Sequence, residues 1–188
     1  MPRPSQRERF LEAAADLVRA DGPTELTYDR LVAVTGASKG GLLYHFPSKQ
    51  ELVEALLEHT LDSFEAEVDA RAVNDPRPFG WAHAYVDASL DVRVSRPELL
   101  ATSLLDSDDG REVIRRCGRR MAAWQQRMTA DGVPTGLAAA LRYACDGWWT
   151  LAALDMGPVA ADADTLALEL HSRLEQAERA DQASGDRP

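Results

Sequence analysis

The segment from Thr27 to Leu52, TYDRLVAVTGASKGGLLYHFPSKQEL, limits the fold more than any other part of this 188-residue chain. Thr27 is a good N-cap, because its hydroxyl can accept from a free amide of the first turn, and Asp29 lies favourably near the positive helix end. Leu31, Val32 and Val34 supply an apolar face, and Gly36 can end the helix in the left-handed conformation at no steric cost. Ser38 caps a second short helix. That helix must stop before Pro47, since proline disfavours helical geometry at Phe46. Ser48 and Glu51 then form an S-x-x-E capping box that starts another helix, as Ser5 and Glu8 do at the start of the chain. The first helix carries Phe10, Ala13, Ala14, Leu17 and Val18 at helical spacing and ends at Gly22-Pro23. Three short helices before a longer fourth, with a tight turn between the second and third, is the grammar of a helix-turn-helix. That motif lays its second helix in the DNA major groove.

Gly40 and Gly41 lie inside that second helix, where each glycine costs about 0.5–1 kcal/mol relative to alanine. Tertiary packing can absorb this weakness. A bare backbone can also approach DNA closely, with Gly41 against a thymine methyl or a sugar. Tyr44 can offer its hydroxyl to phosphate, and Lys39 can reach a phosphate or a base edge. His45 and Phe46 fit better as anchors in the small core than as DNA contacts. The candidate DNA-binding residues are Thr27, Tyr28, Ser38, Lys39, Gly40, Gly41, Tyr44, His45 and Lys49. The formal net charge of −10 would by itself argue against nucleic acid, but the charge is unevenly distributed. Residues 1–50 hold seven Arg or Lys against six Asp or Glu, and the remainder holds 14 against 25. The chain's two lysines, Lys39 and Lys49, fall in or beside the motif, and a local basic face of Arg3, Arg7, Arg30, Lys39 and Lys49 is expected to meet phosphate.

Residues 5 to about 60 resemble the DNA-binding domain of the tetracycline-repressor (TetR) family of bacterial regulators. The shared pattern after the turn appears here as Ser38, Gly40, Leu42, His45 and Phe46, followed by Lys49 and Leu52. Leu43 stands where an aromatic residue, usually Tyr, is commonest in that pattern, and Tyr44 can take over its phosphate contact. The resemblance implies an all-helical homodimer with a divergent C-terminal ligand domain. It also implies repression of a target, relieved when a small molecule binds.

The expected fold is therefore all-α, with about nine helices. Residues 1–47 form the DNA-binding domain, the fourth helix from 48 is the connector, and 48–188 form the ligand-binding and dimerisation domain. The later helices are read at Pro78–Val94, Leu99–Leu105, Arg111–Ala130, Leu137–Leu154 and Ala163–Arg179. No apolar run is long enough to span a bilayer and no signal peptide is apparent, so a cytoplasmic protein is expected. Cys117 and Cys145 lie in no C-x-x-C pair and read as buried thiols. The helix from Leu137 is apolar round much of its circumference, which suggests burial on two sides. Leu137, Leu141 and Leu151, with Leu166, Leu170 and Leu174 of the last helix, are the candidate dimer interface. A two-fold dimer suits a palindromic operator, because one helix-turn-helix reads only a half-site.

Aromatic and Met side chains concentrate in the C-terminal part. Trp81, Tyr85, Leu104, Met121, Trp124, Met128, Tyr143, Asp146, Trp148 and Trp149 are the candidate effector site, with simple core packing as the competing explanation. Asp146 is the discriminating residue, since a buried carboxylate needs a cationic partner. Arg142, one turn earlier, can supply it. Without that pair, a lipophilic cation stacked on tryptophan would be the natural guest. His59, His83 and His171 are too scattered for a metal site, and no nucleophile motif, phosphate loop or paired-carboxylate constellation points to an enzyme or a cofactor. A helical binding or scaffold protein that no longer reads DNA is the alternative.

Overall fold

The computed structural model describes residues 5–91, 108–153 and 159–185. Among these residues the structure is all-helical, with α1 (Gln6–Asp21), α2 (Tyr28–Thr35), α3 (Lys39–His45), α4 (Lys49–Val73), α5 (Gly80–Leu90), α6 (Asp108–Ala130), α7 (Thr135–Ala153) and α8 (Val159–Gly185). Eight of the nine expected helices are thus accounted for, and the one read at Leu99–Leu105 falls outside the described residues. No helix among the described residues is long and apolar enough to cross a membrane. The chain divides into two compact units, and α4 and α6 each contribute their first part to one and their second part to the other. The boundary within α4, the expected connector, lies at Ser63/Phe64.

In the first unit, capping side chains hold the short helices. Ser5 and Glu8 complete a reciprocal capping box on α1. Thr27 Oγ1 accepts from the Arg30 amide at 3.3 Å, and Ser38 Oγ accepts from the Gly41 amide at 3.1 Å. Gly36 takes φ 66° and closes α2 through a bond from its amide to the Val32 carbonyl. Helices of seven or eight residues do not stand alone in water, so these caps and the core must act together. Phe10, Leu11, Ala14, Leu17 and Val18 of α1 close over Leu26, Leu31, Leu42 and Phe46, with Leu52, Val53, Leu56 and Leu57 of α4 completing the core. Of the expected apolar face of α2, only Leu31 is buried, and Val34 is 57% exposed.

The second unit is built round α5, which is buried on almost every side, with only Gly80 and Asp87 partly open along its length. This helix starts two residues later than its apolar pattern suggests, because Phe79 adopts φ 54°. Left-handed geometry is a genuine outlier for a bulky residue. Phe79 is held there by packing, because its ring is buried and meets the turn between α6 and α7 at Gly132, itself at φ 102°. A Cβ on Gly132 would lie 3.0 Å from a Phe79 ring carbon. The final helices run longer than the expected Leu137–Leu154 and Ala163–Arg179, starting at Thr135 and Val159.

Gly132→Ala should destabilise the protein by about 1–3 kcal/mol, through the disfavoured backbone geometry together with the ring clash. Chemical denaturation at pH 7 checks this, and an unchanged midpoint would contradict it.

Candidate nucleic-acid interface and regulatory core

Helix α3 places its two glycines differently. Gly40 is exposed and a Cβ there would meet nothing within 4 Å, whereas a Cβ on Gly41 would lie 3.2 Å from Ser38 Oγ and 3.6 Å from Gln6 Nε2. The open backbone surface therefore belongs to Gly40 rather than to Gly41, where the thymine contact was expected. Tyr44 is 83% exposed, with its ring edge against His45. His45 is half-buried against Phe10 at 5.8 Å between centroids, and Phe46 is fully buried, so both anchor the core as their positions suggested. Tyr28 serves the same core, because its hydroxyl donates to the Phe46 carbonyl at 2.8 Å and ties α2 to the end of α3. Burial raises the pKa of that phenol and keeps it a donor, with Glu51 adding to the effect.

The expected basic face is only partly available. Arg30 is bound by Asp21 and Glu25 at 2.6 and 2.7 Å, and Arg7 lies over the Phe46 ring at 5.2 Å. Arg3 lies outside the described residues. Lys39 pairs with Asp29 at 2.8 Å, but both side chains are mostly exposed, and such a pair contributes at most about 1 kcal/mol. Lys39 can therefore exchange that partner for a phosphate. Thr27, Ser38 and Lys49 are exposed.

In the second unit, Trp81, Tyr85, Trp124, Met128, Trp148 and Trp149 are buried, and Met121 is half-buried. Phe64 meets Tyr85, Trp124 and Trp149 at 5.6, 5.0 and 4.9 Å between ring centroids. Tyr143 departs from this group. It is 63% exposed, and the Arg142 guanidinium covers its ring at 4.6 Å. Leu104 lies outside the described residues. Arg142 Nε donates to Asp146 Oδ2 at 3.2 Å, so the carboxylate has the local partner that its spacing allowed. Burial raises the pKa of Asp146 and Arg142 opposes the rise, while Asp146 Oδ1 has no hydrogen-bond partner. The buried indole Nε1 of Trp124 is likewise unpartnered. Cys145 lies against Ser89, and its burial pushes the thiol up to about 12, which makes it an inert core residue.

On the outside of this unit, Trp81 Nε1 donates to Asp69 at 2.8 Å, and Arg127 binds Asp69 at 2.7 Å while covering the Trp81 ring at 4.6 Å. These residues line a shallow open cleft of about 500 Å³ that also includes Asp75 and Arg77. Its four charges pair with one another, Arg77 Nε donating to Asp75 at 2.9 Å.

The leucines expected at a dimer interface separate into two sets. Leu141, Leu170 and Leu174 are 0%, 7% and 0% exposed within a single chain, so they are core residues with no surface for a second subunit. Their helical spacing marked a buried face but not which neighbour covers it. Leu151 is 44% exposed and Leu137 and Leu166 are half-buried, and they are joined by Leu168 at 73%, which the sequence reading passed over. His83 and His171, set aside as scattered, are brought into direct contact on α5 and α8, with nitrogens 2.6 Å apart. No cluster of three or more potential ligands suited to a metal ion occurs among the described residues.

Residues 10–56 match the model of the tetR family of bacterial regulatory proteins, and residues 80–177 match the tetracyclin repressor-like C-terminal domain. The nucleoid occlusion factor SlmA of Marinobacter nauticus is 38% identical over 56 residues, covering 30% of this chain and 29% of that protein. SlmA of Yersinia enterocolitica is 33% identical over 66 residues, or 35% of this chain and 33% of that one. The chain thus spans about a third of the length of these curated relatives. Among solved structures, a TetR transcriptional regulator from Legionella pneumophila superposes with a TM-score of 0.69 at 16% identity, covering 92% of this chain and 99% of that one. A transcriptional regulator from Saccharomonospora viridis in complex with choline gives 0.68 at 18%, covering 90% and 95%. The multidrug binding protein EbrR complexed with malachite green gives 0.57 at 23%, covering 90% and 98%. At these identities the likeness is one of fold.

Arg142→Ala should cost about 1–3 kcal/mol at pH 7, because it leaves a largely buried carboxylate without its cation. Without Arg142 the folded-state pKa of Asp146 rises further above its unfolded value. The folded form then binds the extra proton, and the deficit against wild type should shrink as pH falls from 7 towards 4. Urea denaturation across that range measures the deficit, and a constant one would refute the account.

Proposed function

This chain belongs to the tetR family of bacterial regulatory proteins and is a DNA-binding regulator, and we propose that it acts as a homodimeric repressor released from a palindromic operator by a small-molecule effector. The open surface of Gly40 on α3, flanked by Ser38, Lys39 and Tyr44, is the observation that carries the DNA part of the reading. Gly40 admits the DNA backbone or a base edge, Lys39 and Tyr44 reach phosphate, and Thr27 and Lys49 flank them. Gly41, Tyr28 and His45 act from behind by fixing α3 on its core. Two copies joined through the accessible side of α7 and α8, using Leu137, Leu151, Leu166 and Leu168, would present two such surfaces to successive grooves.

The effector is proposed to bind in the aromatic interior of the second unit. Two proteins of similar fold are solved with cations, malachite green and choline. Here the carboxylate that would meet a cation is already paired with Arg142 through Oδ2, so a cationic guest must either displace that guanidinium or approach the unpartnered Oδ1. The unpartnered indole N–H of Trp124 instead favours a guest that brings a hydrogen-bond acceptor. In either case the ligand acts by its differential affinity for two arrangements of the chain, with a coupling of about 1–3 kcal/mol.

Gly40→Ala separates this function from a scaffold role. The substitution should stabilise α3 by up to about 0.5–1 kcal/mol, since it replaces a glycine of the first helical turn at a site with room for the methyl. It should also lower operator affinity about tenfold, or roughly 1.4 kcal/mol. Lys39→Ala should weaken binding and flatten the salt dependence by about one charge. The measurements are gel shifts on the protein's own promoter region across a salt series, paired with thermal denaturation. A Gly40→Ala variant that is more stable and binds DNA as before would remove α3 from the interface. An absence of salt-dependent binding in the native chain would favour the scaffold.

A further inference from the structure

Helices α5 and α8 are joined by four titratable side chains in a row. Glu178 Oε1 lies 3.0 Å from His83 Nε2, His83 Nδ1 lies 2.6 Å from His171 Nδ1, and His171 Nε2 lies 2.7 Å from Asp87 Oδ1. The imidazole planes are inclined by only 13°, and a 4.9 Å centroid separation with nitrogens 2.6 Å apart sets the rings edge to edge rather than face to face. His83 is fully buried, the Glu178 side chain is 10% exposed and His171 is 17% exposed. Water therefore cannot repair a mismatched contact at the centre of the row.

The row contains three hydrogen bonds, and each needs one proton. Ionised carboxylates can only accept, so each Nε2 must carry a hydrogen, and the two facing Nδ1 atoms must then share one. With none between them, two lone pairs meet at 2.6 Å. With two, a pair of N–H donors meets instead. We propose that Glu178, His83, His171 and Asp87 form a one-proton clasp that fastens α8 to α5 and loosens when that proton is lost or a second one is gained.

The surroundings indicate which ring carries the charge. From the connection before α5, Arg77 reaches Asp87 at 3.8 Å and also binds Asp75, which lies near His83. From α4, Arg71 is bound by Glu67 and Asp91 at 2.8 and 2.9 Å and acts on Asp87 from a distance. The charged pair on α7, Arg142 and Asp146, is closed on itself. Burial lowers the pKa of His83 below its ordinary 6.5, against the opposing hydrogen bond to Glu178. Burial works against the charge of Asp87, yet its bond from His171 and the nearby guanidiniums leave its pKa lowered. His83 is thus the neutral acceptor at Nδ1, and His171, next to ionised Asp87, is the imidazolium donor. On the acid side, the unfolded chain protonates at His83 before the folded one does. The stability tied to neutral His83 is therefore present above pH 6.5 and is lost as pH falls through its lower folded value. On the alkaline side, loss of the shared hydrogen between the two Nδ1 atoms removes the bridge itself.

The test is long-range ¹⁵N–¹H NMR of the full ¹⁵N-labelled chain, in which His83→Gln and His171→Gln identify the two ring systems. At pH 7 the pair should show three ring N–H protons, with His83 as a neutral Nε2–H tautomer and His171 doubly protonated. Two or four protons on the pair would overturn the proposal. Amide exchange in α8, corrected for its intrinsic rate, should be slowest in the singly protonated window and quicken by up to tenfold per pH unit on either side. In His171→Gln, whose amide can donate to His83 without titrating, the alkaline limb should vanish and the acid limb remain. An unchanged profile in that variant would contradict the clasp, and because the native spectrum counts the protons directly, misfolding of a variant does not protect the proposal. None of these readouts involves DNA or effector, so they stand or fall separately from the repressor reading.

Discussion

The Phe64 ring is the contact on which the second unit depends. It lies in the second part of α4 and touches one aromatic ring on each of three other helices, Tyr85 on α5, Trp124 on α6 and Trp149 on α7. Aromatic pairs at such distances add about 0.5–1.5 kcal/mol each beyond the area they bury, and they also fix orientation. That orientation constrains everything around it, because each buried indole or phenol carries a polar tip whose direction the packing now sets. Trp149 meets the demand by donating to the Ser89 carbonyl, and Trp81 does so through Asp69. Trp124 does not, and its N–H is left facing the interior.

The first unit solves a different problem. Its helices are too short to hold themselves, so the backbone groups at their ends must be satisfied by side chains at fixed offsets. Ser5, Thr27, Ser38 and Ser48 each accept from a backbone amide three residues ahead. The tie from Tyr28 to the Phe46 carbonyl then joins the two helices of the motif across their turn. Such support lets α3 carry two glycines, one facing its own cap and the other bare to solvent.

These mechanisms also explain what could be read from the chain. Caps, the Gly36 turn and the stop before Pro47 are local, so the sequence displays them directly, and the Arg142–Asp146 pair is legible for the same reason. The start of α5 is not, because left-handed Phe79 depends on a gap left by Gly132 in a distant turn. Leucine spacing in α7 and α8 identifies a buried face, but Leu141, Leu170 and Leu174 turn out to face their own unit, since periodicity does not name the covering neighbour. The histidine row is the extreme case. His83 and His171 are 88 residues apart and belong to no motif, and only the packing of α8 on α5 makes them partners.

That packing has a consequence for any ligand-driven change. Separating α8 from α5 breaks three hydrogen bonds together and leaves Glu178 and one imidazole buried without partners, a cost that rises steeply in a low-dielectric interior. The two helices therefore behave as one body while the row holds its proton. Buried polar atoms without a hydrogen-bond partner lie beside that pair as well, Trp124 Nε1 on α6 and Asp146 Oδ1 on α7, together with Ser89 Oγ on α5 itself. In the proposed effector site, a guest that pairs with Trp124 Nε1 or Asp146 Oδ1 gives that atom a hydrogen bond it otherwise lacks, and it favours whichever arrangement presents that atom best.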